Sequence, residues 1–194
     1  MNKNYKFTAL WFDETAKPNW SIIFNEFKPT RVLEIGCFEG RATTWLCDNV
    51  ETIKEYHVID TFKGSAEPGM DVLDGKNIIL EDVFRHNISH HPNIDFTINE
   101  GYSQVVLPTL QLNEYFDFIY IDGSHRSDDT FVDAYFAHKY LRKGGLIIFD
   151  DFGWKDPTDL SIVNSPELSI RMFFTMYPNY TPVMEGYQIG AIKN

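Results

Sequence analysis

Acidic and imidazole side chains follow the ends of two apolar segments of the chain. Phe116–Ile121 is β-prone and mostly apolar, as expected of a strand buried on both faces, and it is followed by Asp122 and then by His125. A second apolar run ends at Asp150 and Asp151. The carboxyl ends of parallel strands open on one edge of a sheet, so the three carboxylates are expected to meet there if the two strands are neighbours.

Three carboxylates held close together repel one another, and a bound cation would relieve that repulsion. Oxygen-only ligation favours Mg²⁺, Ca²⁺ or Mn²⁺ over zinc, and Mg²⁺ keeps water positions open for a substrate. His125, with an unperturbed pKa of about 6.5, can accept a proton at neutral pH. Two structural alternatives stay open. Asp122 and His125 could cap and buttress a turn, and Asp150 with Asp151 could be an ordinary polar strand end.

A glycine turn, EIGCFEG (34–40), follows the first predicted strand. Glycines at such a place permit close approach of a ligand, and the next helix offers its N-terminal amides. The spacing is G-x-x-x-G rather than G-x-G-x-x-G, so the dinucleotide fingerprint is absent. Asp60 ends the second strand about 20 residues beyond Gly40, where doubly wound folds place an acid on ribose hydroxyls. A turn or cap role for Asp60 is the alternative.

These residues depend on an alternation of strands and helices. The predicted strands cover 31–36, 56–60, 94–99, 116–122 and 145–150. The predicted helices cover 41–50, 103–110 (with Pro108 inside it) and 128–141, the last closed by Gly144-Gly145. Alternation of this kind indicates an α/β, Rossmann-like, doubly wound sheet that is mostly parallel. YTPVM and YQIGAIK near the C-terminus predict an antiparallel hairpin, which brings the sheet to seven strands.

Composition limits the function classes. The chain has 194 residues, 43% of them hydrophobic, and a formal net charge of −11, which fits one globular domain and disfavours nucleic acid as a partner. Two cysteines without C-x-x-C spacing, no apolar leader and no long apolar run predict a soluble, cytoplasmic protein away from membranes. The 61–77 segment is long for a connection and is a candidate lid.

Together, E-x-G-x-x-x-G and Asp60 resemble the class I S-adenosylmethionine-dependent methyltransferases. Gly101-Tyr102-Ser103-Gln104, the Asp122 strand end and LRKGGLIIFDD (141–151) resemble the metal-dependent, catechol O-methyltransferase type. GSH after Asp122 is closer to the macrocin and mycinamicin sugar O-methyltransferase branch. The resemblance covers roughly 30–152 firmly and the C-terminal hairpin loosely. It implies a methyltransferase domain over 31–194, preceded by an N-terminal helical cap over 1–30.

The resemblance also implies roles for particular residues. Those implied to bind S-adenosyl-L-methionine are Glu34, Gly36, Cys37, Gly40, Thr43, Asp60, Ser103, Gln104 and Asp122. Asp122, Asp150 and Asp151 are implied to bind a divalent cation, most simply Mg²⁺. His125 stands where the catechol enzymes carry a lysine base, so His125 and Asp122 are the candidate catalytic residues.

Four positions depart from the catechol pattern. Ala42 replaces a serine that helps to bind the cofactor carboxylate, and Thr43 is the neighbouring substitute. Gly123 and Ser124 replace bulkier ring-bearing residues, which opens the pocket floor. Asp151 replaces Asn and adds one negative charge beside the metal. These departures bear on the size and shape of the substrate more than on the chemistry.

The resulting hypothesis is an O-methyltransferase that acts on a hydroxyl of a small, sugar- or phenol-like molecule. A metal lowers the pKa of such a hydroxyl and fixes it in line, and His125 takes its proton. The alternatives are a metal-independent methyltransferase, a nicotinamide-dependent oxidoreductase and a non-catalytic cofactor-binding domain. Trp11 and Phe12, expected to be exposed aromatics, would suit a self-association surface, so a homodimer is a candidate assembly.

Overall fold

The computed structural model describes residues 3–64, 79–156, 158–159 and 161–194. Seven strands are described: β1 (Arg31–Ile35), β2 (Glu55–Asp60), β3 (Asp95–Glu100), β4 (Phe116–Ile121), β5 (Leu141–Phe149), β6 (Tyr180–Met184) and β7 (Ile189–Lys193). Seven α-helices are described: α1 (Trp11–Thr15), α2 (Lys17–Glu26), α3 (Arg41–Asn49), α4 (Leu80–Ile88), α5 (Ser103–Val106), α6 (Ser127–Tyr140) and α7 (Glu167–Met176). Most of the candidate lid lies outside the described residues.

The strands form one sheet in the order β3-β2-β1-β4-β5-β7-β6. The first five strands pair in parallel, while β7 runs antiparallel to both β5 and β6. This confirms the predicted Rossmann-like, mostly parallel seven-stranded sheet with its C-terminal antiparallel hairpin. The strand order reverses between β1 and β4, and ligands of open α/β sheets bind at the carboxyl edge beside such a reversal.

Two apolar cores cover the two faces of the sheet. On one face, Trp20 and Phe24 of α2, Trp45 of α3 and Phe84 of α4 pack against alternate residues of the central strands. On the other face, the packing residues come from α6, α7 and the 3₁₀ turn after α5, and they include Ala134, Ala137, Ile170, Phe173 and Leu107. All six residues of β4 are buried, as its apolar sequence predicts for a strand covered on both faces.

The C-terminal end of α6 differs from its prediction. The helix ends at Tyr140, and β5 begins at Leu141, so Gly144-Gly145 lies within the strand and does not close the helix. Leu141 is fully buried and pairs with Phe116, and the register between β4 and β5 shifts directly after this pair. Burial of Leu141 on the sheet therefore extends the strand across the two glycines, and Gly144 takes a φ of +72° there.

The N-terminal segment is helical in α1 and α2, and it is fastened over the glycine turn. Arg41 forms two hydrogen bonds to the Asp13 carboxylate, one of them 2.6 Å long, and Thr8 donates two to Glu39. Phe12 is buried between aromatic rings, so the expectation that it is exposed is wrong; Trp11 is 41% exposed. The homodimer remains a prediction. No helix in the described part of the chain is both long and apolar enough to span a bilayer.

Candidate active site

Strand register places the ends of β1, β2, β4 and β5 at one level of the sheet. Ile35 lies opposite both Ile59 and Ile121, and Ile121 lies opposite Phe149. The next residue of each strand is therefore Gly36, Asp60, Asp122 and Asp150, in one row along the carboxyl edge. The order of the strands thus assembles site residues that lie more than 100 positions apart in the sequence.

Both glycines of the first turn are required by contacts that a side chain would block. A Cβ on Gly36 would stand 2.0 Å from the Asp122 carbonyl oxygen, and the residue has a φ of +83°. A Cβ on Gly40 would stand 2.8 Å from the Phe84 ring, again at positive φ. The end of β4 therefore crosses directly over the end of β1, and only glycine permits that approach.

Asp60 holds the glycine turn. One carboxylate oxygen, Oδ2, accepts hydrogen bonds from the amides of Cys37 (2.7 Å) and Phe38 (2.8 Å), and Oδ1 accepts one from Phe62 (2.7 Å). The predicted ribose acid is therefore also the structural brace of the turn. A carboxylate oxygen has two lone pairs, so Oδ1 keeps capacity for one further donor such as a sugar hydroxyl.

Glu34 and Thr43, both expected along the cofactor, form a buried pair beneath the turn. The Thr43 hydroxyl and the Tyr56 phenol each donate to Glu34 Oε2 at 2.6 Å. Burial raises the pKa of Glu34 to about 7, although both hydrogen bonds favour the charged form. Burial likewise raises the pKa of the Cys37 thiol well above its usual value, which makes Cys37 a packing residue rather than a nucleophile.

Asp122 and Asp150 meet at one phenol. The Tyr120 hydroxyl lies 3.0 Å from Asp122 Oδ2 and within hydrogen-bond reach of Asp150 Oδ2. Asp150 Oδ2 also accepts from Gln188 Nε2 (2.8 Å), and Gln188 Oε1 accepts from the Trp20 indole (3.0 Å). A buried polar chain therefore runs from α2, through the C-terminal hairpin, to the row of acids.

Asp151 turns from this pair toward the histidine. Its Oδ2 lies 2.7 Å from His125 Nε2, and its own amide donates to Asp150 Oδ1 at 2.7 Å. Asp151 has a φ of +57°, a conformation uncommon for a residue with a side chain. The Trp154 ring packs on the imidazole with the centroids 4.1 Å apart. His125 is thus held by a carboxylate and by an aromatic face.

A small cleft opens between these groups. It is lined by Ile121, Asp122, Gly123, Ser124, His125, Thr130, Asp150, Asp151 and Pro166. Ser103 and Gln104, expected to face the adenine, are half-buried at the first turn of α5, directly after the end of β3. The carboxyl edge therefore carries residues predicted to be catalytic, to bind the cofactor and to bind a metal. Glu34 and Thr43 lie below its surface.

The sequence profile of the family described as "Methyltransferase domain" matches residues 33–152. The chain belongs to this family. The matched range begins in β1 and ends just beyond Asp151, so it contains the glycine turn and the whole row of acids.

A curated relative and two solved structures are similar to the chain. An uncharacterised protein of Acanthamoeba polyphaga mimivirus is 28% identical over 121 residues, which cover 62% of this chain and half of the viral protein. An O-methyltransferase from Bacillus cereus, solved with S-adenosylhomocysteine, is 19% identical with a TM-score of 0.64, covering 98% of this chain and 85% of that one. TomG from Streptomyces achromogenes, an O-methyltransferase of tomaymycin synthesis solved with S-adenosylmethionine, is 16% identical with a TM-score of 0.65, covering 93% and 82%. At these identities the two structures establish a shared fold.

The charges near the three acids of the row come mainly from one another and from His125, as far as the described residues show. Within the described residues, no Lys or Arg ion pair reaches Asp122, Asp150 or Asp151. Burial, together with the other two carboxylates, raises the pKa of Asp122 well above its usual value. Burial and Asp151 raise the pKa of Asp150 to about 6. A phenol has one hydrogen, so the Tyr120 bridge is satisfied best when one of the two acids is protonated.

The types of side chain at this edge fit a divalent cation, whereas their arrangement does not. Three carboxyl groups at one edge of the sheet supply the kind of oxygen ligand that Mg²⁺ takes. In the described parts of the chain, however, no three His, Cys, Asp or Glu groups are arranged to hold a metal ion. Tyr120 lies between Asp122 and Asp150, while Asp151 bonds to His125. The donor set suits a hard cation, and the side chains as they stand suit a shared proton.

Sequence reasoning missed the groups that support the acids. In the sequence, Tyr120 looks like one more apolar residue of β4, and Gln188 looks like an ordinary residue of the C-terminal hairpin. Neither position predicts a contact with the acids. Trp20 is apolar in character and its ring is fully buried in the core, so its sequence position gives no sign that the indole N–H donates to Gln188. No sequence spacing connects Trp20 with Gln188, because their contact spans 168 positions.

Proposed function

We propose that the chain is an S-adenosylmethionine-dependent O-methyltransferase that methylates a hydroxyl of a small molecule. The observation that carries the proposal is the pair of His125 and Asp151 beside the row of acids, in a chain of the methyltransferase family. The O-methyltransferase identity of the two structural neighbours supports oxygen as the acceptor atom. A sugar- or phenol-like acceptor remains the expected class, because Trp154 offers a flat ring beside the histidine.

His125 is the base of the proposed reaction. The substrate hydroxyl gives its proton to the imidazole, and the Asp151 carboxylate, 2.7 Å away, stabilises the imidazolium that forms. The freed oxygen attacks the methyl carbon in line, the carbon–sulfur bond breaks, and its electron pair stays on sulfur. The products are a methyl ether, S-adenosylhomocysteine and a proton. S-adenosylmethionine supplies the methyl group as an electrophilic sulfonium.

The remaining cleft residues position the reactants. The glycine turn and Asp60 would hold the methionine and ribose parts of the cofactor, and Ser103 with Gln104 would face the adenine. Asp122, Asp150 and Asp151 would hold the divalent cation, whose chemistry is to lower the pKa of the acceptor hydroxyl and fix its position.

Exchange of His125 tests the proposed base. His125→Asn should lower kcat by 10²- to 10⁴-fold, on the order expected for removal of a general base, and should leave the affinity for S-adenosylhomocysteine nearly unchanged. Asp151→Asn should also lower kcat, and the two losses should not add, because both act through the imidazole. His86→Asn, at a half-buried histidine of α4 whose ring nitrogen lies 2.9 Å from the Asn4 carbonyl oxygen, is the matched control. The assay uses a hydroxylated acceptor that the unaltered protein methylates. If His125→Asn turns this acceptor over at the same rate, His125 is not the base.

Metal-independent methyl transfer is the second candidate. It is favoured by the Tyr120 bridge between Asp122 and Asp150, which satisfies the two acids with a proton. Dialysis against EDTA, followed by return of Mg²⁺ or Mn²⁺, separates the two candidates. Loss and recovery of turnover support metal dependence, and full turnover in EDTA supports the proton-bridged site.

A further inference from the structure

The glycine turn holds its backbone in the left-handed region at three positions. Gly36 and Gly40 have φ values of +83° and +78°, which glycine adopts readily, but Phe38 carries a side chain and has a φ of +49°. A residue with a side chain keeps such a conformation only where its surroundings hold it there. Asp60 holds two amides of the turn, and a second set of contacts comes from the N-terminal part of the chain.

The N-terminal strap, residues 3–13, contacts the two residues of the turn that precede Gly40. The Glu39 side chain is buried, and its carboxylate accepts two hydrogen bonds from Thr8. Oε2 accepts from the Thr8 amide at 2.7 Å, and Oε1 accepts from the Thr8 hydroxyl at 2.6 Å. The Trp11 ring packs against the Phe38 ring with the centroids 5.6 Å apart. The strap therefore holds the strained residue and its neighbour.

Asn87 of α4 joins the strap to the turn. This residue is completely buried, and its side-chain amide makes three hydrogen bonds, each 2.8 Å long. Oδ1 accepts from the Lys6 amide, while Nδ2 donates to the carbonyl oxygens of Lys6 and Glu39. One side chain thus holds the backbone of the strap and the backbone of the turn, so the strap cannot leave α4 without breaking bonds that Asn87 shares with the turn.

The strap is attached mainly by polar contacts near the surface. Residues 4, 6, 8 and 10 are exposed, and the residues between them are only half-buried. His86 Nε2 lies 2.9 Å from the Asn4 carbonyl oxygen, and His91 Nε2 lies 2.7 Å from the Tyr5 hydroxyl. Segments with little buried apolar surface open locally at a lower cost in free energy than the whole fold. Release and docking of the strap are therefore separable from global unfolding.

We propose that Glu39 and Asn87 are positioning residues that couple docking of the strap to binding of the cofactor. This inference rests on the proposed use of S-adenosylmethionine, whose amino-acid part the glycine turn would receive. The docked strap fixes the turn in the shape that the cofactor meets, and the bound cofactor in return favours the docked strap. Such coupling is reciprocal, because each event changes the equilibrium of the other by the same factor.

Calorimetry with S-adenosylhomocysteine measures the first half of this coupling. Glu39→Ala removes both acceptors for Thr8 and should weaken binding at least about tenfold, within the usual range of coupling between two sites. Glu39→Gln keeps the size of the side chain and one carbonyl acceptor, so its affinity should return to within about threefold of that of the unaltered protein. Thr8→Val removes one bond at an exposed side chain, is the milder variant for folding, and should weaken binding about threefold.

Asp117→Ala is the matched control. Asp117 is also a buried acid that accepts from the amide and the hydroxyl of one threonine, Thr30, but it lies at the amino edge of the sheet. The variant should lower the melting temperature, as Glu39→Ala does, and leave the affinity for S-adenosylhomocysteine unchanged.

Three results would count against the proposal. Unaltered affinity in both Glu39→Ala and Thr8→Val would overturn the positioning role. Equal weakening by Asp117→Ala would assign the loss to general destabilisation and overturn it as well. An unaltered protein that does not bind S-adenosylhomocysteine would overturn the proposed function together with this inference.

Hydrogen exchange followed by mass spectrometry tests the reciprocal half. The amides of Lys6 and Thr8 donate to Asn87 and Glu39, so they exchange when the strap is released. Saturating S-adenosylhomocysteine should slow their exchange about tenfold in the unaltered protein. Asn87→Ala breaks the link between strap and turn and should remove most of this effect. Equal exchange with and without the compound in the unaltered protein would show that the strap docks independently of the cofactor, and the proposal would fail.

Discussion

Replacing Gln188 by leucine should destabilise the fold through two specific hydrogen bonds. Gln188 is completely buried; it donates to Asp150 Oδ2 at 2.8 Å and accepts from the Trp20 indole at 3.0 Å. Leucine has a similar volume, so the main effect is to leave the indole N–H unpaired and Asp150 with one donor fewer. A buried group left without a partner costs about 1–3 kcal/mol, and Asp150 loses less than the indole because it keeps the Tyr120 and Asp151 donors, so the free energy of unfolding should fall by about 2–4 kcal/mol.

Urea unfolding followed by circular dichroism measures this loss. For a chain of this size, 2–4 kcal/mol corresponds to a fall in melting temperature of roughly 4–16 °C. Gln104→Leu, at a half-buried glutamine of α5, is the matched control and should change the free energy of unfolding by less than about 0.5 kcal/mol. The same Gln188→Leu variant should lose the proposed methyltransferase activity, because Asp150 is then held by fewer groups.

A double-mutant cycle assigns the loss to the proposed contacts. Trp20→Phe removes the indole donor and leaves Gln188 Oε1 unpaired, whereas the double variant with Gln188→Leu removes both partners of that bond. The loss in free energy of unfolding of the double variant should therefore be smaller than the sum of the two single losses, by at least about 1 kcal/mol. Losses that add to within about 0.5 kcal/mol, or a Gln188→Leu variant as stable as the unaltered protein, would refute the polar chain as a stabilising element.

Further predictions concern the buried acid of β1, the glycine turn and the aromatic beside the histidine. The pKa of Glu34 is about 7 in the fold and about 4.5 when unfolded, so its contribution to stability is present below pH 4.5 and is lost as the pH rises through 7. Relative to Glu34→Gln, the unaltered protein should lose on the order of 3 kcal/mol between pH 4.5 and pH 8, and parallel pH profiles from urea unfolding would disprove this. Gly36→Ala should abolish binding of S-adenosylhomocysteine and lower the free energy of unfolding by at least about 3 kcal/mol. Gly153→Ala is the control: a Cβ there would lie 3.4 Å from Tyr187, an ordinary contact, so the melting temperature should hardly change. Trp154→Ala should raise KM for an aromatic or sugar acceptor about tenfold while the calorimetric affinity for S-adenosylhomocysteine stays unchanged; an unaltered KM would exclude the ring from the acceptor site.

Local sequence predicted the strands, the helices α3, α5 and α6, and the edge on which the site lies, but not α4 or α7. An apolar run such as Phe116–Ile121 is read from neighbouring residues alone, and it predicts a fully buried strand that ends at Asp122. The same local logic failed at Leu141, where packing on the sheet outweighed the usual role of Gly144-Gly145 as a helix stop. Strand ends and glycine spacing therefore identified the row of acids, but not which groups each acid contacts.

Tertiary structure alone decided those contacts. Tyr120 between Asp122 and Asp150, Gln188 on Asp150 and Asn87 beside the glycine turn join residues from separate elements, and no periodicity encodes such pairs. Backbone periodicity arises from interactions within a few residues, whereas a buried hydrogen bond depends on where distant helices and strands place two side chains. The sequence by itself thus determined the chemistry available at the carboxyl edge, and the packing of α2, α4 and the C-terminal hairpin decided how that chemistry is held.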